Sequence, residues 1–319
     1  MKDKTILITG GCGFIGSNFV HMLNDYQLVK NVVIVDKMTY AANLKNLEEG
    51  PLKKYAIVKA DICDSVAMEK TFYEYKPDYV VNFAAESHVD RSIASSTEFV
   101  MSNVVGVQVL LDASRKFGVK RFCQISTDEV YGDLGMNERP SVEMDLLRPS
   151  SPYSATKAAA DLLVLAYGRT HGMDVVITRC SNNYGPRQYS EKLIPLAIKR
   201  LMEGKKIPVY GTGANIRDWI HVDDHCRGIW LALTKGGQRQ VYNFGGKNQI
   251  KNIDLVRSLT RMFGLRADWE GIEFVTDRAG HDFRYDINAW KAGAELGWKP
   301  EINFGEGLKG TVHWYRNRR

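Results

Sequence analysis

The sequence predicts an α/β protein, a doubly wound parallel sheet with a smaller C-terminal α/β lobe. Three observations carry that expectation. First, the short runs TILITG, NVVIVD, YAIVKAD, YVVNFAA and FCQIST are rich in Val, Ile and aromatic residues, as strands covered on both faces require. Second, longer stretches with apolar residues at three- and four-residue spacing lie between them, and this alternation of strand and helix builds a parallel sheet. Third, the texture changes after about residue 182, where NNYGP, YGTGAN and NFGGKN separate shorter elements.

Helices are expected over Gly16 to Tyr26, Ser65 to Tyr75, Ser92 to Phe117 and Tyr153 to His171, and VVITRC near residue 175 continues the sheet. The division falls near residue 180, giving a cofactor-binding domain over 1–180 and a substrate lobe over 181–319. No low-complexity linker marks that boundary, so the two parts are expected to be interlaced. Near the C-terminus, Val312 and Trp314 to Tyr315 are expected to close a final helix against the core.

At 319 residues, with 44% hydrophobic and 25% charged residues, the chain can bury a sizeable core and has the composition of a globular enzyme. MKDKTILITGG runs directly into a strand pattern, which points to a cytoplasmic setting. The net charge of +6 comes from scattered Lys and Arg. That does not exclude nucleic acid, but a phosphorylated small molecule explains it equally well, and neither nucleic acid nor membrane is the expected partner. Five dispersed cysteines suggest neither a disulfide framework nor a zinc cluster.

ITGGCGFIGSNFV places Gly10, Gly13 and Gly16 after the first strand and at the opening of the first helix. A ligand-free turn can carry the same glycines. Here Asp36 ends the second strand, 20 residues after Gly16, which completes the Rossmann pattern for a dinucleotide. Glycines admit a pyrophosphate, the helix N-terminus supplies N–H groups, and the carboxylate accepts from ribose hydroxyls. Asp36 favours NAD over NADP by repelling a ribose phosphate, although Lys37 beside it can offset that repulsion.

SSPYSATKAAADLL sets Tyr153 and Lys157 four residues apart, on one helix face. A solvated helix face can show the same pair. Behind a nucleotide fold, an ammonium and a cationic cofactor ring are expected to draw the phenol toward neutrality, making it a base. QISTDEVYGD adds Thr127, Asp128 and Glu129 at a strand end. Two adjacent carboxylates can cap a turn, or repel until one keeps its proton. Tyr131 in the same stretch reads as a packing residue. HVDDH places His221 and His225 four apart, but Val222 stands where a zinc helix carries Glu, so both read as structural and no metal is expected.

TGGCGFIG, NFAAESHVD, STDEVYG and YSATK together resemble the extended short-chain dehydrogenase/reductase family, and within it the nucleotide-sugar 4,6-dehydratases. RCSNNYGP, EKLIPL, VYGTGANIRDWIHVDDH, YNFGG and DRAGHDFRY extend the resemblance over the whole chain. It implies a reactive centre of Thr127, Tyr153 and Lys157, with Asp128 and Glu129 where the related 4-epimerases carry small uncharged residues. It implies NAD held by Gly10, Gly13, Phe14, Ile15, Gly16 and Asp36, with Asp61 and Ile62 at the adenine, Ala84, Ala85 and Asn103 along the cofactor path, and Asn183 at the nicotinamide, beside Tyr153 and Lys157. A nucleotide-sugar substrate would meet Ser87, Thr127 and Asn182, with Lys192, Leu193, Pro208 and Tyr210 bordering the nucleotide and Arg217, Arg278 and His281 on the diphosphate. The implied reaction is dehydration of a nucleoside-diphosphate glucose, thymidine first and uridine as the alternative. Epimerisation and a catalytically silent NAD-binding protein remain rivals. Val100 to Phe117 and Tyr153 to His171 resemble helices that pair family members, so a homodimer is implied.

Overall fold

In the computed structural model the residues described are 1–48, 55–265 and 270–318. The first half lays down β1 (Thr5–Thr9), β2 (Asn31–Asp36), β3 (Tyr55–Lys59), β4 (Tyr79–Asn82), β5 (Arg121–Thr127) and β6 (Val175–Cys180). Then β7 (Asn182–Tyr184), β8 (Ile207–Tyr210) and β9 (Ile216–His221) leave the sheet, β10 (Gln240–Phe244) returns to it, and β11 (Gln249–Lys251) and β12 (Ile272–Val275) leave again. The main sheet has the order β10-β6-β5-β4-β1-β2-β3 and every pairing in it is parallel. The order reverses between β1 and β4, the place where such sheets open a crevice beyond the strands' C-terminal ends.

The strands are apolar throughout because both faces are covered. Along β1, Ile6 and Ile8 enter one core and Leu7 the other, as the two-residue period of a strand requires. One core packs under α1 (Phe14–Asp25), the other under α2 (Ser65–Tyr75).

The helix expected over 92–117 is broken. The chain forms α3 (Val89–Ala94), extends at Ser95, and resumes as α4 (Thr97–Val100), a π-helical turn over Met101–Val105, and α5 (Gly106–Lys116). The π-turn brings the Asn103 amide onto the Glu86 backbone, accepting from its N at 2.8 Å and donating to its O at 3.0 Å. The π-turn inserts one residue and shifts the phase of the helix, a shift that apolar spacing read at either three or four residues absorbs.

Helix α6 (Pro152–His171) begins at Ser151, whose hydroxyl accepts from the Ser154 N–H while Ser154 reciprocates, with Pro152 in the first turn. This box fixes where Tyr153 and Lys157 sit. The chain continues through α7 (Leu193–Met202), α8 (Val222–Lys235), α9 (Asn252–Met262), α10 (Trp290–Leu296) and α11 (Phe304–Arg316). Helices α7, α9 and α11 enclose a separate core with Tyr184 and Trp219, which Val312 and Tyr315 join; Trp314 lies edge-on to Tyr315 outside it. Among the described residues no helix is long and apolar enough to cross a membrane.

Candidate active site

A cavity of about 880 Å³ opens beyond the C-terminal ends of the main-sheet strands and runs from the glycine loop to the second lobe. At one end, Gly10 has φ +66° and an added Cβ would stand 2.7 Å from the Ala84 nitrogen. A Cβ on Gly16 would stand 2.4 Å from the Gly10 carbonyl oxygen. A side chain at either position would force the loop's own backbone apart and distort the cradle. Gly13 opens α1 with no side-chain cap, which leaves first-turn N–H groups for an anion. Asp36 is buried, its carboxylate accepting from Cys12 N at 2.9 Å and Met38 N at 2.8 Å. Lys37, which could have offset its charge, is claimed by Asp61 at 2.7 Å. Phe14, Ile15, Ile62, Ala84, Ala85 and Asn183 line the same space. The residues present fit a dinucleotide.

Asn103 corrects the expectation that it lines the cofactor path. It is buried behind the wall, and besides Glu86 its amide donates to Thr156 Oγ1 at 2.9 Å, whose own hydroxyl donates to Tyr153 O. Asn103 therefore ties the 84–87 loop to α6 without facing the cavity.

At the centre, β5 delivers Thr127, whose hydroxyl caps the short 3₁₀ turn Asp128–Tyr131 by accepting from Glu129 N at 3.3 Å. The same hydroxyl donates to Asp128 Oδ1 at 3.2 Å. Burial pushes the Asp128 carboxyl well above its ordinary range, and Glu129 and Asp218 add repulsion. Burial also raises Glu129, but Lys192, Arg217 and Arg278 pull it back. Both carboxyls are therefore raised, Asp128 the more strongly, and the cations around Glu129 oppose the rise there.

Tyr153 and Lys157 face the same space from α6. The chain's own groups set the phenol high, and drawing it toward neutrality would fall to the cationic cofactor ring that the expectation pairs with Lys157. Burial first, and then the field of Glu129, push Tyr153 well above its ordinary value, with only Thr127 pulling back. Lys157 is turned onto the Ile125 carbonyl at 2.6 Å, and its own burial lowers its pKa.

Toward the second lobe, Lys192 donates to Ser87 O at 2.8 Å, and Arg278 lies 3.3 Å from Asp90 and 4.9 Å from the Tyr210 ring centroid. His281 pairs with Asp277 at 2.6 Å. Arg217 is buried and donates to the backbone oxygens of Ile216, Asp282 and Phe283. It reaches the centre as a field on both carboxyls. Ser87, Asn182, Leu193 and Pro208 complete the wall, with Asn182 Oδ1 buried and unpartnered. Sequence reasoning did not pick out Glu86, Asp90, Glu191, Asp282 or Tyr285, which also line the cavity. Asp90 and Glu86 stand inside stretches used for the resemblance, but the Arg278 that pairs with Asp90 lies far along the chain.

His221 caps α8, its Nδ1 accepting from Asp223 N at 3.2 Å. His225 hydrogen-bonds Asn183 at 2.9 Å, and burial pushes its pKa down to about 3. Among the described residues no group of three or more His, Cys, Asp or Glu could hold a metal ion.

Comparison with known proteins places this geometry. A family model described as GDP-mannose 4,6 dehydratase matches residues 7–311. The chain is 49% identical to the dTDP-glucose 4,6-dehydratase of an Actinoplanes strain, with 98% of each covered. The chain belongs to the nucleotide-sugar 4,6-dehydratase family. Among solved family members, DesIV of Streptomyces venezuelae, a dTDP-glucose 4,6-dehydratase crystallised with NAD and dTDP, superposes with a TM-score of 0.94 at 44% identity, covering 99% of this chain and 98% of that one. Beyond the 4,6-dehydratases, the UDP-glucose 4-epimerase of Thermotoga maritima, solved with UDP-glucose, has a TM-score of 0.90 at 30% identity, over 98% and 99% of the two chains. Dehydratase and epimerase thus share the fold, and the decision between them falls to the central residues.

Proposed function

We infer that this chain is an NAD-dependent dTDP-glucose 4,6-dehydratase, a hydro-lyase that forms the 4-keto-6-deoxy sugar nucleotide. The observation that carries it is the carboxyl pair Asp128–Glu129 on the turn that Thr127 caps, facing the same cavity as Tyr153 and Lys157. An oxidation at carbon 4 needs only Thr127, Tyr153 and Lys157. Two carboxyls in opposite protonation states are what eliminating water across carbons 5 and 6 requires.

In this reading Gly10, Gly13 and Gly16 admit the pyrophosphate of NAD and Asp36 accepts from the adenosine ribose, while the sequestered Lys37 leaves a 2′-phosphate without a partner. NAD when bound takes the carbon 4 hydride and supplies it to carbon 6. Tyr153, whose phenolate the Lys157 ammonium and the cationic ring of bound NAD would support, accepts the carbon 4 hydroxyl proton, and the resulting ketone acidifies carbon 5. Glu129 takes the carbon 5 proton while Asp128 gives its own to the carbon 6 hydroxyl, which leaves as water. Glu129 then returns its proton to carbon 5. The cycle closes when one proton passes from Tyr153 to Asp128; Thr127, which contacts both, is placed to carry it. Arg217 and Arg278 would meet the diphosphate, a role suited to cations in a partly enclosed site, with His281, its pKa lowered first by burial, as a neutral hydrogen-bonding neighbour and Lys192 bordering the nucleotide.

Pairing into a homodimer through α5 and α6 is supported by Leu162, an apolar side chain 59% exposed on α6, and is checked by sedimentation. The functional reading is tested by mass spectrometry with dTDP-glucose and UDP-glucose, alone and in competition. Loss of one water, faster from the thymidine nucleotide, is the expected result. An unchanged mass from both would remove dehydration, and preference for the uridine nucleotide would change the substrate.

A further inference from the structure

Tyr131 closes the turn that carries Asp128 and Glu129, and it is not a mere packing residue. Its buried hydroxyl donates to Asn243 Oδ1 of β10 at 2.8 Å and accepts from Arg179 Nη1 of β6 at 2.9 Å. Arg179 in turn donates through Nε to Asp161 Oδ2 at 2.9 Å, with both side chains almost fully buried. Asp161 stands one turn beyond Lys157 on the same face of α6, and its charge opposes the burial that weakens the Lys157 ammonium. The far end of the turn is equally fixed. Gly132 has φ +84° with the Arg148 carbonyl against it, and Arg148 N donates to Val130 O at 3.0 Å.

A buried ion pair is poor evidence for stability, since desolvation offsets much of its attraction. What this one does is connect. Through one phenol and one guanidinium, the turn bearing the elimination carboxyls is joined to the helix bearing the oxidation residues, and the guanidinium's fixed fork transmits orientation as well as charge.

We propose that Tyr131, Arg179 and Asp161 form a buried clamp that holds Asp128 and Glu129 in register with Tyr153 and Lys157, so that water elimination follows oxidation on the same bound sugar. The clamp residues are positioning residues, and the proposal rests on the reaction inferred above. Tyr131→Phe keeps the ring and deletes the link. Oxidation depends on α6 and on Thr127, which β5 holds, and persists; elimination depends on the turn beyond it and slows, because placement errors of about 1 Å cost up to ~10²-fold in rate.

Two probes separate the steps. dTDP-6-deoxyglucose has no carbon 6 hydroxyl to expel and reports oxidation alone through the 340 nm absorbance of bound reduced nicotinamide. dTDP-glucose reports the whole cycle. In Tyr131→Phe the first should run within about twofold of wild type while turnover of the second falls about tenfold, with 340 nm absorbance accumulating and KM unchanged. Arg179→Lys, which keeps a cation for Asp161 but loses the fork, should give the same split. Equal loss of both steps in the two variants, or wild-type turnover of dTDP-glucose in Tyr131→Phe, would overturn the clamp. A wild-type enzyme inert toward dTDP-glucose would overturn the reaction beneath it.

Discussion

At the cofactor end of the cavity, binding groups come mainly from backbone N–H groups and one carboxylate, in two short contiguous stretches around Gly10 to Gly16 and Asp36. At the sugar end they are side chains from segments scattered between Ser87 and Tyr285, many already paired with one another. The first is a property of local chain geometry, and the second of tertiary convergence. The difference teaches where change is tolerated. A backbone cradle has no substitute for a missing glycine, whereas an ion-pair cluster shares its charge among several partners.

The largest effect should come from distorting the cradle. Gly16→Val puts carbon atoms where the Gly10 carbonyl already stands, so NAD released on denaturing the purified protein should fall to about a tenth of wild type or less, a loss of ~1.4 kcal/mol or more. Full cofactor content would show that the loop does not cradle the pyrophosphate. Next, Tyr153→Phe should lower turnover about 10³-fold, within the range of lost general-base catalysis, with no 340 nm absorbance on adding substrate. Prompt absorbance there would assign the first proton to another group.

Glu129→Gln should cost about 10²-fold yet still build up 340 nm absorbance, because oxidation precedes its role. Wild-type product formation would remove Glu129 from the mechanism. A smaller effect concerns Asp128. Its carboxyl is raised above the ordinary 3.8 in the fold, so the native state keeps a proton the unfolded chain gives up, and stability declines as pH climbs from that ordinary value through the raised one. Asp128→Asn lacks this titration. Its urea midpoint should match wild type in acid and exceed it increasingly as pH rises; a constant difference would place the Asp128 pKa near normal. The smallest effect belongs to Lys37→Ala. Because Lys37 is half-exposed and paired with Asp61, NAD affinity should change less than about threefold, the worth of a surface ion pair.

The contrast also explains what the sequence could disclose. Gly10, Gly13, Gly16 and Asp36 were legible because strand, turn and helix fix their geometry within a few dozen residues. Tyr153 and Lys157 were legible because one helical turn separates them. Asn103 was placed on the wrong side of the wall because the π-turn that rotates it is absorbed by apolar spacing that accepts three or four residues alike. Tyr131 was underestimated because its partners Arg179 and Asn243 lie 48 and 112 residues away. The burial and the Glu129 field that raise the Tyr153 phenol belong to the assembled cavity, and the helical spacing that pairs it with Lys157 does not show them. The substrate-end cations came from resemblance alone, and their pairing with Asp90 and Asp277 appears only in the fold.

The central claim is that one enclosed site oxidises carbon 4, eliminates water and completes reduction at carbon 6 of the same molecule. The most direct measurement uses dTDP-glucose deuterated at carbon 4, mixed with undeuterated substrate carrying carbon-13 throughout the sugar. Deuterium at carbon 6 of the product, confined to molecules without carbon-13, is the predicted result. Deuterium lost to solvent, or spread to the carbon-13 product, would contradict a single-site cycle.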